Sequence, residues 1–230
     1  MLGRKRPRVS SATGTWKPRK KARLSRGITP SAGFRTGGWR GMPGRRGELK
    51  YVDTGAEAVL TSTGTLALLN GLAPGTGASQ RIGKKVVFKT LLYRAVLAGG
   101  ANGGTAFCGT CRMIIVVDRQ ANATAPAVTD ILQQASGLSP VNMDNRDRFW
   151  ILSDKEYPID QLGGNQSADC KIFRKLNLPT VYNAGTAGTV ADISTNSMYL
   201  LTIFTQGGTI AAPTAAPGID WYCRLRYDDA

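Results

Sequence analysis

The basic residues of this sequence are concentrated in its first 47 residues, which contain no aspartate or glutamate. The chain has 30 Lys and Arg against 15 Asp and Glu, a net charge of +15, and residues 1–47 carry +14 of it. Lys and Arg release condensed counterions when they bind phosphates, and the planar guanidinium of arginine binds phosphate oxygens in pairs. These residues therefore favour binding to nucleic acid through its phosphates, with little preference for sequence. The candidate binding residues are Arg4, Lys5, Arg6, Arg8, Lys17, Arg19, Lys20, Lys21, Arg23, Arg26, Arg35, Arg40, Arg45 and Arg46.

The other residues of this segment do not form a pattern that would fold by itself. Apolar side chains such as Trp16 and Trp39 are scattered without a helical or strand period, and the like charges repel one another. Gly, Pro, Ser and Thr lie between them and favour an open chain. We therefore predict a disordered nucleic-acid-binding arm over residues 1–47. Its two tryptophans could stack on unpaired bases, which favours single strands, and the alternative is that they anchor the arm to the body.

Two dense basic clusters in the arm, residues 4–8 and 17–23, have the pattern of a two-part nuclear localisation signal. Such a signal predicts a host nuclear import receptor as a partner and the host nucleus as a location. No apolar run follows the basic start, so a signal peptide is not expected. No stretch reaches the ~20 apolar residues that a membrane span needs, so none is predicted.

The cysteines are the next candidates for chemistry, because Cys108 and Cys111 have the spacing of a zinc knuckle or a redox pair. The sequence has no histidine, which removes the imidazole base, the Ser-His-Asp triad and the common zinc centres. Cys170 and Cys223 are isolated and distant in sequence. We therefore expect no metal, no cofactor and no enzymatic activity. The pair is interpreted as two small residues at a sheet edge or a subunit contact.

Carboxylates between residues 144 and 160 alternate with basic residues. One interpretation is an acid pair for hydrolysis by a nuclease, formed by Asp144 and Asp147. Another is a calcium site in which Asp228 and Asp229 join them, which would require oxygen ligands to converge from several loops. Alternating charge is more typical of a solvated or intersubunit surface, and we favour that interpretation.

The elements that must position these residues lie in a body over residues 48–230, which is nearly neutral and long enough for one domain. Runs of β-branched and aromatic residues between Gly- and Pro-rich loops predict an all-β fold. A short helix is expected over 126–134, where Pro126 suits the first position. Residues 59–69 fit a strand or an extended connection. We predict a single eight-stranded jelly roll of two packed antiparallel sheets. The principal strands are expected at 48–54, 84–97, 107–118, 147–154, 167–175, 178–183, 196–206 and 218–227.

Several stretches behind the arm, taken in their order, resemble one protein family. They are 80–83 (QRIG), which leads into a long predicted strand, 112–120 (RMIIVVDRQ), a short helix near 130–132, and 142–155 (NMDNRDRFWILSDK). In this order they resemble the capsid proteins of small circular Rep-encoding single-stranded DNA viruses. They are more distantly similar to geminivirus coat proteins and to plant satellite-virus coat proteins. The resemblance covers residues 1–155, and beyond them only the number of strands agrees.

The resemblance implies a virion protein whose copies assemble into a small icosahedral shell, T=1 with about 60 copies. The arms would point inward onto a single-stranded circular DNA genome. The preference for DNA comes from the resemblance only, because neutralising phosphates does not distinguish DNA from RNA. Subunit contacts and the outer surface are expected at loops 71–80, 98–106, 122–126, 185–193 and 207–217.

Three lysines at the start of the long strand could extend the basic lining of such a shell. Lys85 and Lys89 have the parity of one strand face, and Lys84 has the parity of the other. Two further hypotheses stay open. One is a non-assembling β-barrel that binds single strands through aromatic residues of the body, so that removing residues 1–46 leaves binding intact. The other is an enzyme on a β scaffold, such as the metal-dependent nuclease above.

Overall fold

The computed structural model describes residues 49–102, 105–161, 163–206 and 216–229. The arm predicted over residues 1–47 lies outside them. One helical turn, α1 (Val128–Ile131), and one 3₁₀ turn (Val190–Asp192) accompany the strands. The strands are β1 (Lys50–Val59), β2 (Thr65–Leu68), β3 (Lys85–Ala98), β4 (Ala101–Asn102), β5 (Thr105–Ala106), β6 (Cys108–Asp118), β7 (Phe149–Asp160), β8 (Ser167–Tyr182), β9 (Ile193–Thr195), β10 (Ser197–Gln206) and β11 (Gly218–Asp229).

The long strands form two antiparallel sheets. One sheet has five strands in the order β1-β11-β3-β8-β9, and the other has four in the order β2-β10-β6-β7. Strands β4 and β5 pair only with each other. Along the chain, the eight strands other than β4, β5 and β9 pass repeatedly from one sheet to the other. This order of strands is that of a double-sheet jelly roll, so the predicted fold is confirmed.

Alternating side chains hold the two sheets together. On β3 the buried positions recur at every second residue through Leu91, Tyr93, Ala95 and Leu97, and on β11 they do so from Ile219 to Tyr227. Because successive side chains of a strand point to opposite faces, one face of each strand contributes to the core between the sheets. The opposite face of the five-stranded sheet carries mainly polar residues.

The two central strands of the four-stranded sheet are buried on both faces. Strands β6 and β10 are buried along almost their whole length, and a second apolar cluster forms on their outer side around Ile114, Val116 and Tyr199. Ile131 and Leu132, from α1 and the residue after it, complete this cluster. The chain between β6 and β7 therefore covers the outer side of this sheet.

Two ion pairs fasten this covering segment. Arg112 donates to both carboxylate oxygens of Asp154, at 2.8 and 2.6 Å, and also to the backbone carbonyls of Gly137 and Ser139, at 2.9 and 2.6 Å. At the other end of β6, the fully buried Asp118 accepts two hydrogen bonds from Arg148, at 2.9 and 2.8 Å. On the outer side of the five-stranded sheet, by contrast, no segment of the described residues forms such a cover.

Two predictions about individual elements are wrong, and the stretch left open between a strand and an extended connection contains a strand. The strands expected at 167–175 and 178–183 are one continuous strand, β8, with a register shift against β3 between Phe88 and Thr90. The short strand β2 was not among the eight expected, and it lies inside the ambiguous stretch 59–69. The helix expected over 126–134 is a single turn, because the backbone is extended at Leu132, which pairs with Val141.

Candidate functional site

The 14 basic residues predicted to bind nucleic acid, and the two basic clusters among them, lie outside the described residues. Their role in binding nucleic acid therefore stays a prediction. The candidate functional surfaces that follow belong to the body.

The cysteine pair is divided between two environments. Cys111 is fully buried between the sheets, and this burial raises the pKa of its thiol to about 12. Cys108 is partly exposed at the start of β6. β6 lies between β10 and β7, so the expectation of a sheet-edge position is wrong for this pair. Within the described parts of the chain, all four cysteines are free and no cluster of three or more potential metal ligands occurs.

The carboxylates considered for hydrolysis or calcium binding have different surroundings. Asp147 is fully exposed and lies 3.9 Å from Arg146, which is itself mostly exposed. The Asp144 amide closes a local turn on the Asn142 side chain. Asp229 accepts hydrogen bonds from the Lys50 ammonium and the Ile82 amide, at 2.9 and 2.8 Å. Those contacts make Asp229 a structural residue that joins β11 to β1 and to the loop before β3.

The outer side of the five-stranded sheet, here called the open face, carries a regular arrangement of side chains. The registers of β1, β11, β3 and β8 align one outward residue from each strand into rows that cross the sheet. In that order of strands the four rows are Tyr51-Arg226-Thr90-Lys175, Asp53-Arg224-Leu92-Phe173, Gly55-Tyr222-Arg94-Lys171 and Glu57-Asp220-Val96-Asp169.

Charge is divided sharply along this face. The first three rows, here called the basic rows, hold five cations and a single carboxylate, Asp53. The fourth, here called the acidic row, holds three carboxylates and no cation. A shallow depression of about 490 Å³ lies where the two parts meet, between Arg94, Lys171 and the carboxylates Asp169 and Asp220.

One cation of the basic rows is held in place by its neighbours. Arg224 donates to both oxygens of Asp53, at 2.7 Å each, and these hydrogen bonds lower the pKa of that carboxyl group. The guanidinium carbon lies 5.0 Å from the centre of the Tyr51 ring, and one nitrogen lies 3.4 Å from the Tyr222 hydroxyl. Arg224 is therefore fixed between two aromatic rings and is neutralised by Asp53.

Three aromatic side chains of the basic rows are exposed although they are large. Tyr51, Tyr222 and Phe173 are 42%, 46% and 56% exposed. The Tyr222 ring lies beside Gly55, where a Cβ atom would come within 3.2 Å of the ring and 2.8 Å of the Trp221 carbonyl oxygen. The absence of a side chain at Gly55 lets the ring lie flat along β1.

The lysines expected to extend a basic lining occupy three settings. Lys85 pairs with Val181 and is exposed, and the pair of Val87 with Pro179 separates it from the basic rows. Lys89 falls in the register shift of β3, where its ammonium donates to the Asn177 side chain at 3.3 Å, so strand parity no longer assigns its face. Lys84 precedes β3, and its carbonyl accepts a hydrogen bond from the Tyr182 amide.

Sequence reasoning did not find the open face as a site, because its rows join residues that are far apart in the chain. Arg94 and Tyr222 are neighbours only through the pairing of β3 with β11. The signal that was available is the alternation of side chains: on β8 and β11, basic and aromatic residues occupy positions between buried residues of the core. Parity could assign the residues to outward positions, but it could not order the strands.

A search of protein-family models gave a match that covers nearly the whole chain. Residues 4–230 match the family described as geminivirus coat protein/nuclear export factor BR1. The match continues past residue 155, where the resemblance expected from the sequence had rested only on the number of strands. Geminivirus coat proteins are the more distant of the likenesses expected, and the resemblance to a viral coat protein is confirmed. No curated protein matches the chain in sequence.

Among solved structures, similar chains occur in small viruses. One is from Desmodium yellow mottle tymovirus, with 11% identity over 78% of this chain and 88% of that chain and a TM-score of 0.28. Another is from Cocksfoot mottle virus, with 11% identity over 88% and 95% and a TM-score of 0.29. A third is the nodavirus of the giant freshwater prawn Macrobrachium rosenbergii, with 10% identity over 93% and 94% and a TM-score of 0.26.

Proposed function

Because this chain belongs to the geminivirus coat protein/nuclear export factor BR1 family, we propose that it packages a single-stranded circular DNA genome in a T=1 shell of about 60 copies. As a viral coat protein it is a structural, non-enzymatic component of the virion and assembles into an oligomeric shell. We propose in addition the T=1 symmetry of the shell, the single-stranded DNA cargo and the binding of that cargo by the arm.

The observation that carries the proposal is the separation of charge along the chain. Residues 1–47 hold 14 cations and no carboxylate, whereas residues 48–230 hold 16 cations against 15 carboxylates. A nearly neutral body can pack against copies of itself without strong repulsion, and a polycationic arm can neutralise a polyanion. One chain thus has separate parts for the shell and for the cargo.

The size of the arm charge fits a small genome. A shell of about 60 copies would bring about 840 arm cations together, which neutralises on the order of a thousand phosphates. Each nucleotide of a single strand carries one phosphate charge, so this corresponds to a single-stranded genome of on the order of a thousand nucleotides.

The proposal includes transport into the host nucleus, because the clusters at residues 4–8 and 17–23 have the pattern of a two-part import signal. A fluorescent fusion of the full chain should accumulate in nuclei. A variant with glutamine at the basic positions of both clusters should remain outside them. Equal distribution of the two fusions would refute the import part and leave packaging untouched.

The packaging part is tested by comparing the full-length protein with a chain that lacks residues 1–46, using sedimentation and negative-stain microscopy. We expect uniform particles that contain nucleic acid from the full chain, and empty particles or none from the shortened chain. A strict monomer under every salt condition would overturn the shell. If the shortened chain binds nucleic acid as well as the full chain, the arm is not the packaging element, and a non-assembling single-strand binder becomes the better hypothesis.

A further inference from the structure

Among the residues that the structure describes, most cations of the open face form no ion pair that would stabilise the fold. Arg224 is paired with Asp53, but the structure gives no carboxylate partner within its described residues to the other four cations of the basic rows. Exposed cations are free to bind an anion, because their ammonium and guanidinium groups are not already occupied. These four side chains are Arg94, Lys171, Lys175 and Arg226.

The unpaired cations lie beside the exposed aromatic rings. Phe173 lies on β8 between Lys171 and Lys175, which are its neighbours on the same face. Tyr222 lies opposite Arg94 across the pairing of β11 with β3. Binding sites for single-stranded nucleic acids combine these two kinds of side chain, since bases stack on aromatic rings while cations hold the phosphates.

We infer that the basic rows of the open face are a second nucleic-acid site, on which a few nucleotides of a single strand stack against Phe173, Tyr222 and Tyr51. Arg94, Lys171, Lys175 and Arg226 bind the phosphates of this strand. The inference rests on the proposed packaging function and deepens it, because it gives the body a direct contact with the cargo in addition to the arm.

The acidic row sets the limit of this site. Glu57, Asp220 and Asp169 lie one row beyond Tyr222 and Arg94, and their carboxylates repel phosphates. A bound strand is therefore confined to the basic rows. Four strands at about 4.8 Å spacing make the platform about 14 Å wide, which suits a short stretch of single strand but not a folded duplex surface.

A second copy of the chain is the other occupant to be tested, since the acidic row of one copy could face the basic rows of another. Two observations favour nucleic acid. The exposed aromatic rings lie within the basic rows and not between the opposite charges. The cations also outnumber the carboxylates of the acidic row, so that a symmetric pair of faces would leave positive charge unpaired.

The first test measures binding of the full-length protein, kept unassembled as judged by sedimentation, to fluorescent oligodeoxythymidylate over a series of salt concentrations. The test variant is Arg94→Gln/Lys171→Gln. The matched control, Arg119→Gln/Lys155→Gln, removes the same charge from exposed positions at the end of β6 and on β7 of the other sheet. The arm is intact in all three proteins.

Loss of two phosphate contacts should make the slope of log K against log salt shallower by about 1.4, which is roughly a tenfold loss of affinity near 0.15 M salt. The control should lose much less. If the two variants lose affinity equally, only the total charge of the protein matters for binding, and the inferred site on the open face is overturned.

The second test examines stacking. Phe173→Leu keeps an apolar side chain but cannot stack, and it should weaken oligonucleotide binding by about fivefold or more, whereas Phe173→Tyr should bind as the natural protein does. Photocrosslinking to a bromodeoxyuridine oligonucleotide should label peptides that contain Tyr51, Phe173 or Tyr222. Crosslinks confined to residues 1–47 would overturn the inference while leaving the packaging proposal standing.

Assembly of the same variants separates the two occupants. If Arg94→Gln/Lys171→Gln forms normal shells but carries fewer nucleotides per subunit, the inference is supported. If it fails to form shells while its oligonucleotide binding is unchanged, the open face is a subunit contact and the inference is overturned. Failure of the packaging proposal has a different signature, because it appears in the chain that lacks residues 1–46 and not in these variants.

Discussion

Replacing Arg81 should destabilise the protein more than replacing any exposed arginine. Arg81 is 3% exposed, and its guanidinium group donates to the backbone carbonyls of Leu72, Gly83, Asn183 and Gly185 at 3.2, 3.1, 3.3 and 2.9 Å. The guanidinium carbon also lies 4.8 Å from the centre of the Tyr182 ring. One side chain therefore joins the loop before β3 to the loop after β8.

The size of the destabilisation follows from the four backbone carbonyls that lose their donor in Arg81→Met. The Leu72 carbonyl is bonded within buried surroundings, so its loss of a donor costs about 1–3 kcal/mol. The other three bonds are partly buried, and water can replace the donor there, so each contributes less. With the contact to Tyr182 also lost, we expect a decrease of about 3–5 kcal/mol in the free energy of unfolding. Arg81→Lys should recover only part of it, because an ammonium group cannot reach four carbonyls in one plane.

The assay is urea unfolding of the unassembled full-length protein, followed by circular dichroism and tryptophan fluorescence. Arg146→Met is the matched control: it removes a mostly exposed arginine, and we expect a change below about 0.5 kcal/mol. Hydrogen exchange should locate the damage in residues 183–189 and 72–83 and leave β6 protected. A loss below about 1 kcal/mol for Arg81→Met, or exchange that rises equally throughout the body, would refute this account of the loops.

Three further predictions concern single positions. Gly188→Ala should cost about 1–3 kcal/mol in urea unfolding, because φ is +72° and the new Cβ would lie 2.9 Å from the Ala73 amide nitrogen; an unchanged midpoint would contradict this. The pKa of Asp53 is lowered in the folded state, so its stabilising contribution is present above pH 3.8 and is lost as pH falls through the lower folded value. In a plot of the free energy of unfolding against pH, Asp53→Asn should therefore reduce the fall on the acid side. On the neutral-to-alkaline side its curve should run parallel to that of the natural protein. At pH 8 a thiol reagent should label Cys108 before Cys111, whose pKa is about 12, and equal rates in the folded protein would argue against the buried position.

The sequence predicts the sandwich well because alternation is strong in its central strands. Buried side chains occupy every second position from Leu91 to Leu97 on β3 and from Ile219 to Tyr227 on β11, and this pattern has few alternative explanations. The sequence predicts two strands in place of β8, because Asn177 and Pro179 are poor strand formers. Pairing overrides them: the register shift against β3 takes up the extra residue near Asn177, and Pro179 pairs with Val87 where β9 has not yet begun.

The covering segment on the four-stranded sheet was not predicted, and its cause is tertiary. Val128, Ile131 and Leu132 share a spacing typical of a helix, but they are apolar because they cover the outer side of β6 and β10. A local signal was present. Arg112 and Asp118 bracket an uninterrupted apolar run in β6, and buried charges need partners, which here are Asp154 and Arg148.

Of the two candidate nucleic-acid sites, the sequence predicts one and not the other. The basic arm is visible in the sequence because charge needs no fold to be counted. The open face is invisible there, since it depends on which strands become neighbours: Gly55, Tyr222, Arg94 and Lys171 form one row although 116 residues separate the first from the last. Strand order follows from long-range packing, and single-strand patterns contain no information about it.

The pairing of β1 with β11 also determines when the body can be completed during synthesis. Lys50 and Asp229 are 179 residues apart in sequence and are joined by an ion pair at 2.9 Å. Among the described strands β1 pairs with β11, so the pairing of β1 cannot be completed until residues 218–229 have been synthesised, and folds with such non-local pairing form slowly. The 14 basic residues of residues 1–47 precede β1 in the chain and are therefore synthesised before it. Completion of the β1–β11 pair therefore sets the earliest moment at which a copy has a finished body with which to join a shell.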